Sequence, residues 1–504
     1  MEAVYTAHKL SFAPTSSTPT IARTGILQCQ LSSRESESIE TPAVVQYTRK
    51  GSPVHLTRDN VDKLPIEMIH IAYEHFLDYN PPAYLEAPIS FARYLGLRDR
   101  SMCSKTIDQS KPNRSSDARK TYPPITFATM RDPSDLTTII GNTDSYVACR
   151  TFRGVAKVIV PDQFHSFSIP RPPTFLLALS DEPLSQTSSV KRTTKSLRRS
   201  NAWLSGTMTA ARGRTNVFAS LIGGTSVQAR QQYAKSVLAI DGINDLAGIA
   251  INLNSIRSPI KPRVESSSIQ ELISASISRF SPLLPRLVLC PQGPHEILRL
   301  IAGNGIDLLM DAWSTDLSTI GVALNFCFSM RNDPESVQED SKVKKQCDLG
   351  INLFSDSYAS DFATLASSDL RTRLVKAYSP EALGDEPTRA YVHHLLHTHE
   401  MTSHVLLAMH NTCVMDLFMA GIRDSIRNGT FQRHKEAFED VYMEKMQCET
   451  EAREAWRKVH RERGKGRLKG LGQERRDEPA VPLVSALESV GELESLSFED
   501  EQQD

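Results

Sequence analysis

Residues 286–313 read RLVLCPQGPHEILRLIAGNGIDLLMDAW. Arg286–Cys290 is a short apolar run bounded by Pro-Gln-Gly, which predicts a buried strand. Residues 294–304 space their apolar side chains at three and four, and a proline stands at their first turn. That predicts a helix. Gly305–Trp313 is a second apolar run, so a strand, a helix and a strand follow one another without a hairpin turn. Two strands joined by a helix run parallel, and parallel strands are buried on both faces.

The same alternation extends upstream. TFLLAL at 174–179 predicts a strand and 188–211 a helix. VFASLIGG at 217–224 is a strand ending in glycines, followed by a helix over 226–239. AGIAINL at 247–253 is a strand, and 268–278 a helix. Residues 145–160, SYVACRTFRGVAKVIV, suggest a hairpin. Residues 41–64 read as a strand, a turn and the start of a helix. Helices alternating with short strands define an α/β chain with a parallel sheet. An open doubly wound sheet shares this alternation. Five or more units in a core of about 400 residues favour a (β/α)8 TIM barrel with insertions. Residues 100–124 and 331–347 are polar and read as loops. The domain plan is therefore a disordered 1–21, a barrel with C-terminal helices over 22–445, and a charged, disordered tail over 446–504. Residues 451–478 carry ten Lys/Arg against six Asp/Glu, and 481–504 carry seven acids and no base, a segregation typical of solvated ends.

Net charge is −1, so any nucleic-acid contact must come from a local patch. No apolar run approaches the roughly 20 residues of a membrane span. The first thirty residues are Ser/Thr-rich and poor in acids, as in a transit peptide, but lack the apolar centre of a signal peptide. The eight cysteines contain no C-x-x-C pair, which suits free thiols in a reducing, cytosolic compartment.

Residues 388–423, TRAYVHHLLHTHEMTSHVLLAMHNTCVMDLFMAGIR, predict one long amphipathic helix, uninterrupted until Gly421. On such a helix His410 falls within roughly 40° of Leu396, His399, Ser403, Leu406 and Val414 and points inward with the apolar stripe. The helix opens the C-terminal layer, 388–445. Arg389-Ala390-Tyr391-Val392-His393-His394-Leu395-Leu396, then Glu400 and Met409-His410-Asn411, resembles the C-terminal helix of tRNA-guanine transglycosylases. The likeness is greatest to the non-catalytic partner in the eukaryotic enzyme. The Thr41-Pro42 strand followed by His55-Leu56-Thr57 is similar to the family's opening strands.

The resemblance implies a TIM barrel and a heterodimer with a catalytic queuine tRNA-ribosyltransferase subunit. The complex would exchange guanine for queuine at wobble position 34 of tRNAs with GUN anticodons. It also implies a cytoplasmic location, with a further association at the mitochondrial surface. In the catalytic members, the strand G-I-D-x-F-D-x-x-x-P-T-R presents an aspartate nucleophile five residues after its first glycine. A carboxylate is needed there to attack the ribose carbon and hold a covalent intermediate. The matching strand here is Gly305 to Asp316, and the nucleophile position is Met310. The P-T-R element reads Ser314-Thr315-Asp316. Asp311 stands one residue late, which in a strand turns it to the opposite face unless a bulge intervenes. The family's D-S-G-G-F-Q and G-G-L-A-x-G-E strings have no match, and Gly223-Gly224 reads as a turn. The expectation is no catalytic residue and no enzyme activity in this chain by itself. An active enzyme using Asp311 or Asp307, and a scaffold barrel binding RNA or protein, are the alternatives.

The family also implies one structural zinc held by three cysteines and the histidine that corresponds to His410. The three cysteine positions fall near Ser379, Glu381 and Gly384. Either packing has replaced the metal or the text between 366 and 387 departs from the encoded one. His393 and His397, four apart, read as ordinary surface histidines on another side of the helix. Lys191, Arg192, Lys195, Arg198 and Arg199, near Trp203, are the candidate RNA-binding residues. A basic helix suits phosphate contact and equally a solvated face.

Overall fold

The structure, a computed structural model, describes residues 9–15, 21–30, 36–79, 82–86, 94–97, 125–135, 141–151, 153–159, 173–182, 189–257, 266–328 and 346–469. Eight parallel strands close into a barrel in sequential order. They are β1 Ala43–Gln46, β2 Met68–Ala72, β3 Ile125–Thr129, β4 Phe175–Leu177, β5 Asn216–Ser220, β6 Gly248–Asn252, β7 Arg286–Leu289 and β8 Leu308–Asp311. β8 pairs with β1 in an unbroken register, Leu308 opposite Ala43 through Asp311 opposite Gln46. The closed barrel replaces the open-sheet alternative.

Alternate residues of each strand fill the lumen. Val45, Met68, Phe127, Phe175, Leu177, Phe218, Leu289, Leu308 and Met310 belong to one buried cluster. The Phe127, Phe175 and Phe218 rings stack side by side at 4.9 and 4.8 Å. Residues of the opposite parity, among them Ile69, Ile71, Ala128 and Leu176, pack outward with Trp203 of the surrounding layer. Helices α1 Val190–Ala211, α2 Val227–Leu238, α3 Ser266–Ile277, α4 Pro294–Asn304 and α5 Trp313–Thr319 follow strands β4 to β8 in turn. α4 ends at Gly305, whose φ of +57° is left-handed, and a Cβ there would lie 2.7 Å from the Ile21 carbonyl.

The N-terminal end of the barrel is closed by an antiparallel sheet, Lys9–Pro14, Gly25–Gln30 and Ser36–Thr41. Leu27, Cys29 and Ile39 join the lumen cluster from it. Residues 9–15 are thus ordered by pairing, which corrects the disorder expected for that part of 1–21. The hairpin expected over 145–160 is present as Tyr146–Thr151 and Gly154–Ile159.

The C-terminal layer consists of α6 Ser368–Ala377, α7 Arg389–His397, α8 Thr402–Arg427 and α9 Phe431–Val441. The single helix expected over 388–423 is two. His399, at φ +61°, breaks it without glycine or proline, and the chain turns so that Glu400 N reaches the Leu395 carbonyl. α8 is long and apolar enough to cross a membrane by composition, yet 61% of that window is buried against α5, β1, α6, α7 and the strand Val322–Leu324. It is a core helix. Helix α10, Gln447–Lys469, is ordered where a disordered tail was expected, because Met446, Cys448 and Ala452 are buried. The chain divides into units Met1–Arg453 and Glu454–Asp504. Of the second, the rest of α10 is described, with Trp456 against His460 at 4.1 Å. Residues 101–124, 329–345 and 470–504 lie outside the described residues.

Candidate functional site at the barrel mouth

The C-terminal ends of barrel strands are where side chains from several strands converge on a common space. At the end of β8, Met310 is fully buried in the lumen beside Leu308, Leu289 and Val45. A thioether there has no proton to give and no charge to use. Asp311, one residue on, faces away from the lumen. Its carboxylate accepts the Ser314 backbone N–H at 2.9 Å and the Ser314 hydroxyl, an Asx-type turn that opens α5. Burial raises its pKa, and the Ser314 bonds work against that rise. Because the β8–β1 register has no extra residue, no bulge brings Asp311 inward.

Asp307 lies at the other end of the strand. Arg23 grips it through two bonds of 2.9 and 2.6 Å, and the Arg286 N–H adds a third at 2.8 Å. It latches the N-terminal sheet to the barrel. Neither aspartate of this strand is free to attack a substrate.

The mouth holds a small cavity of about 80 Å³ lined by Arg131, Asp132, Leu177, Glu182, Asn252 and Leu289 among others. Three carboxylates line it: Asp135 pairs with Arg150 at 3.7 Å, and Asp132 and Glu182 sit in different surroundings. Asp132 accepts from the Tyr47 hydroxyl at 2.5 Å and from the Ser134 N–H and hydroxyl at 2.9 and 2.8 Å, with His75 at 3.3 Å. Burial opposes its charge, but the His75 bond, His70 and the Tyr47 hydroxyl outweigh it and hold the carboxyl far below the usual range. Glu182 accepts from Ser180 and Ser220 at 3.1 and 2.9 Å, and burial raises its pKa. Glu74 ties the loops together by accepting the backbone N–H groups of Asp132 and Arg150.

Asp132, Glu182 and Glu74 belong to no motif legible in the sequence. The signal available was an acid just past an apolar run, as in Ile125–Met130 followed by Arg131-Asp132-Pro133. A cavity of this size is well below the roughly 300 Å³ at which small-molecule sites begin. The Gly223-Gly224 turn is closed from beneath by Arg230, fully buried, whose Nε donates to the Gly224 carbonyl at 2.7 Å. Its guanidinium also reaches the Ser276 hydroxyl at 3.0 Å.

The basic helix α1 is less free than its sequence suggests. Arg199 is buried and paired with Asp181 and, at 2.9 Å, with Asp144. Arg192 bonds Asp181 at 2.8 and 3.0 Å, and Arg198 meets Asp144 at 3.0 Å. Arg199 is therefore a structural ion-pair residue, which corrects its assignment to an RNA-facing set. Arg192 is half-committed in the same way. Lys191, Lys195 and Arg198 remain exposed.

His410 is buried, as the helical phase required, and its neutral Nε2–H donates to the Leu324 carbonyl at 2.8 Å. Burial pushes its pKa down to about 4. The donor set around it does not fit zinc. Ser379 and Glu381 are exposed, Gly384 has no side chain, and Cys413 turns its sulfur to the Ala382 carbonyl at 3.7 Å. Beside His410 is a void of about 20 Å³ lined by Leu365, Leu374, Leu383 and Pro387. The segment 366–387 is well folded. Leu370 and Leu374 of α6 are buried, the Tyr378 hydroxyl donates to Asp416 at 2.6 Å, and Arg371 pairs with Glu386 at 2.5 Å.

A family profile, queuine tRNA-ribosyltransferase, matches residues 176–444. The chain belongs to the queuine tRNA-ribosyltransferase family. Among similar proteins, "queuine tRNA-ribosyltransferase accessory subunit 2" of Schizosaccharomyces pombe is 26% identical over 410 residues, covering 80% of this chain and 79% of the relative. The proteins of that name from Ixodes scapularis and Homo sapiens are 25% and 23% identical. They cover 77% and 79% of this chain, and 89% and 92% of their own lengths. The match starts at β4 and runs through the C-terminal layer as far as α9.

Proposed function

We propose that this chain is the non-catalytic subunit of a queuine tRNA-ribosyltransferase and acts in queuosine modification of tRNA. The observation that carries this is Met310, facing the barrel lumen at the strand position where a working enzyme of this family needs a carboxylate. The names of its relatives support the accessory role. Base exchange then belongs to a catalytic partner. The reaction is replacement of guanine by queuine at position 34 of tRNAs with GUN anticodons. Within the heterodimer, the exposed Lys191 and Lys195 on α1 meet tRNA phosphates, beside Arg198, which is exposed but paired with Asp144. The helical layer 388–445 is the surface offered to the partner, with Tyr391 and Met401 exposed by 49% and 75%. The subunit works in the cytoplasm, including at the mitochondrial surface, and the family zinc is replaced by the packing of α6 on α8.

The test is exchange of labelled guanine in tRNA. The purified chain alone is expected to give none and to form no covalent RNA adduct, whereas adding the catalytic subunit restores exchange. Turnover by this chain alone, or an adduct on any of its carboxylates, would overturn the reading. Failure to associate with the catalytic subunit would leave only a scaffold barrel.

A further inference from the structure

His393 and His397 stand one turn apart on α7, and a short turn, Asp356–Tyr358, faces them. One ring nitrogen from each histidine and one Asp356 carboxylate oxygen lie within 4.8 Å of one another. The two imidazole centroids are 4.4 Å apart. His393, expected on the surface, is only 9% exposed, while Asp356 and His397 are open to solvent. His393 Nδ1 faces the Leu353 carbonyl at 2.9 Å, and His397 Nε2 faces the Phe354 carbonyl at 3.3 Å.

A carbonyl only accepts, so each of those nitrogens carries the proton in the neutral ring. The other nitrogen of each ring is then a bare lone pair. Backbone carbonyls that fix the tautomer of a ligating imidazole are a recurring outer layer of metal sites. We propose that Asp356, His393 and His397 form a zinc site, distinct from the position of the family's structural zinc at His410.

Two imidazoles and a carboxylate with an open fourth position suit Zn²⁺, with water completing the tetrahedron. In such a site ligand atoms sit about 3.3 Å apart, from bonds of about 2.0–2.1 Å. Closing from 4.8 Å needs about 1.5 Å, which side-chain rotation of the solvent-exposed Asp356 and His397 supplies. The ion would clip the 356–358 turn to α7. Arg389, the nearest cation on α7, is neutralised by Asp361 at 3.0 Å.

The experiment is a Zn²⁺ titration of the tag-free, EDTA-treated full chain by calorimetry, with metal analysis after gel filtration. One equivalent of Zn²⁺ per chain is expected. Asp356→Asn and His397→Asn, at exposed positions, should each weaken binding about tenfold or more. His410→Asn should leave it unchanged. Co²⁺ substitution should give a visible spectrum without thiolate charge-transfer bands. Stoichiometry near zero, affinity indifferent to both the Asp356 and His397 changes, or loss of the ion on changing His410 would each overturn the proposal. Far-UV circular dichroism confirms that each variant is folded. All of these readouts are independent of tRNA exchange.

Discussion

Met310 shows how much one side chain decides when the backbone around it is kept. Its strand pairs with β1 in unbroken register, is buried throughout and follows Gly305. Replacing it with aspartate puts an acid back into an apolar lumen that offers it no partner. Met310→Asp is expected to lower stability by several kcal/mol, of the order found for an unpaired buried charge. It should yield no RNA adduct, because the base-contacting strings are also absent. Thermal unfolding and denaturing gels with tRNA check both outcomes. Asp307 makes the opposite point, as a buried acid held by Arg23 and the Arg286 N–H. Arg23→Ala removes its hydrogen-bonded counter-charge and leaves only the field of Arg286, at a cost of about 3–5 kcal/mol, with loosening of the N-terminal sheet first. Hydrogen exchange of residues 25–30 would register that.

At the scale of elements, α8 joins barrel and C-terminal layer through a few polar groups in an apolar face. Asn411 accepts the Leu324 N–H at 2.8 Å and donates to the Val322 carbonyl at 3.0 Å and the Ser318 hydroxyl at 2.9 Å. Asn411→Leu strands all three, and a loss of about 2–4 kcal/mol is expected in chemical denaturation. The break between α7 and α8 separates the histidines of α7 from the phase of His410. His393 and His397 lie on α7 ahead of that break, opposite Asp356. On α1, the ion pairs to Asp181 and Asp144 divide the cations. Charge reversal of Lys191 and Lys195 should weaken tRNA binding by the heterodimer and reduce its salt dependence, leaving subunit association intact. Filter binding across a salt series, with gel filtration of the complex, measures each.

For the molecule as a whole, acid sensitivity follows from buried neutral histidines. Burial depresses His70, and likewise His410, to about 4 from an ordinary 6.5. Above pH 6.5 both states of the protein leave these rings neutral. As pH falls from 6.5 to 4, the unfolded chain takes up protons that the folded chain refuses, so stability declines. Each shift corresponds to roughly 3 kcal/mol. A steep fall in melting temperature over that window is expected. His410→Gln should make the fall shallower, whatever it does to stability at pH 7.5.

The alternation of apolar runs and helical periods determined a parallel sheet, since buried strands must be apolar on both faces and their crossovers must be helical, whereas its closure was decided by the pairing of β8 with β1. The one-residue offset between Met310 and Asp311 likewise fixed which of them meets the lumen, because strand parity allows no other outcome without a bulge. Local pattern was silent where the partner is distant. Nothing near Arg199 announces Asp144 and Asp181, and nothing near His393 announces Asp356. The acids gathered at the mouth come from the ends of different strands. Pairing of charges and the ordering of residues 9–15 rest on contacts between segments far apart in the chain, and only the folded molecule brings those segments together.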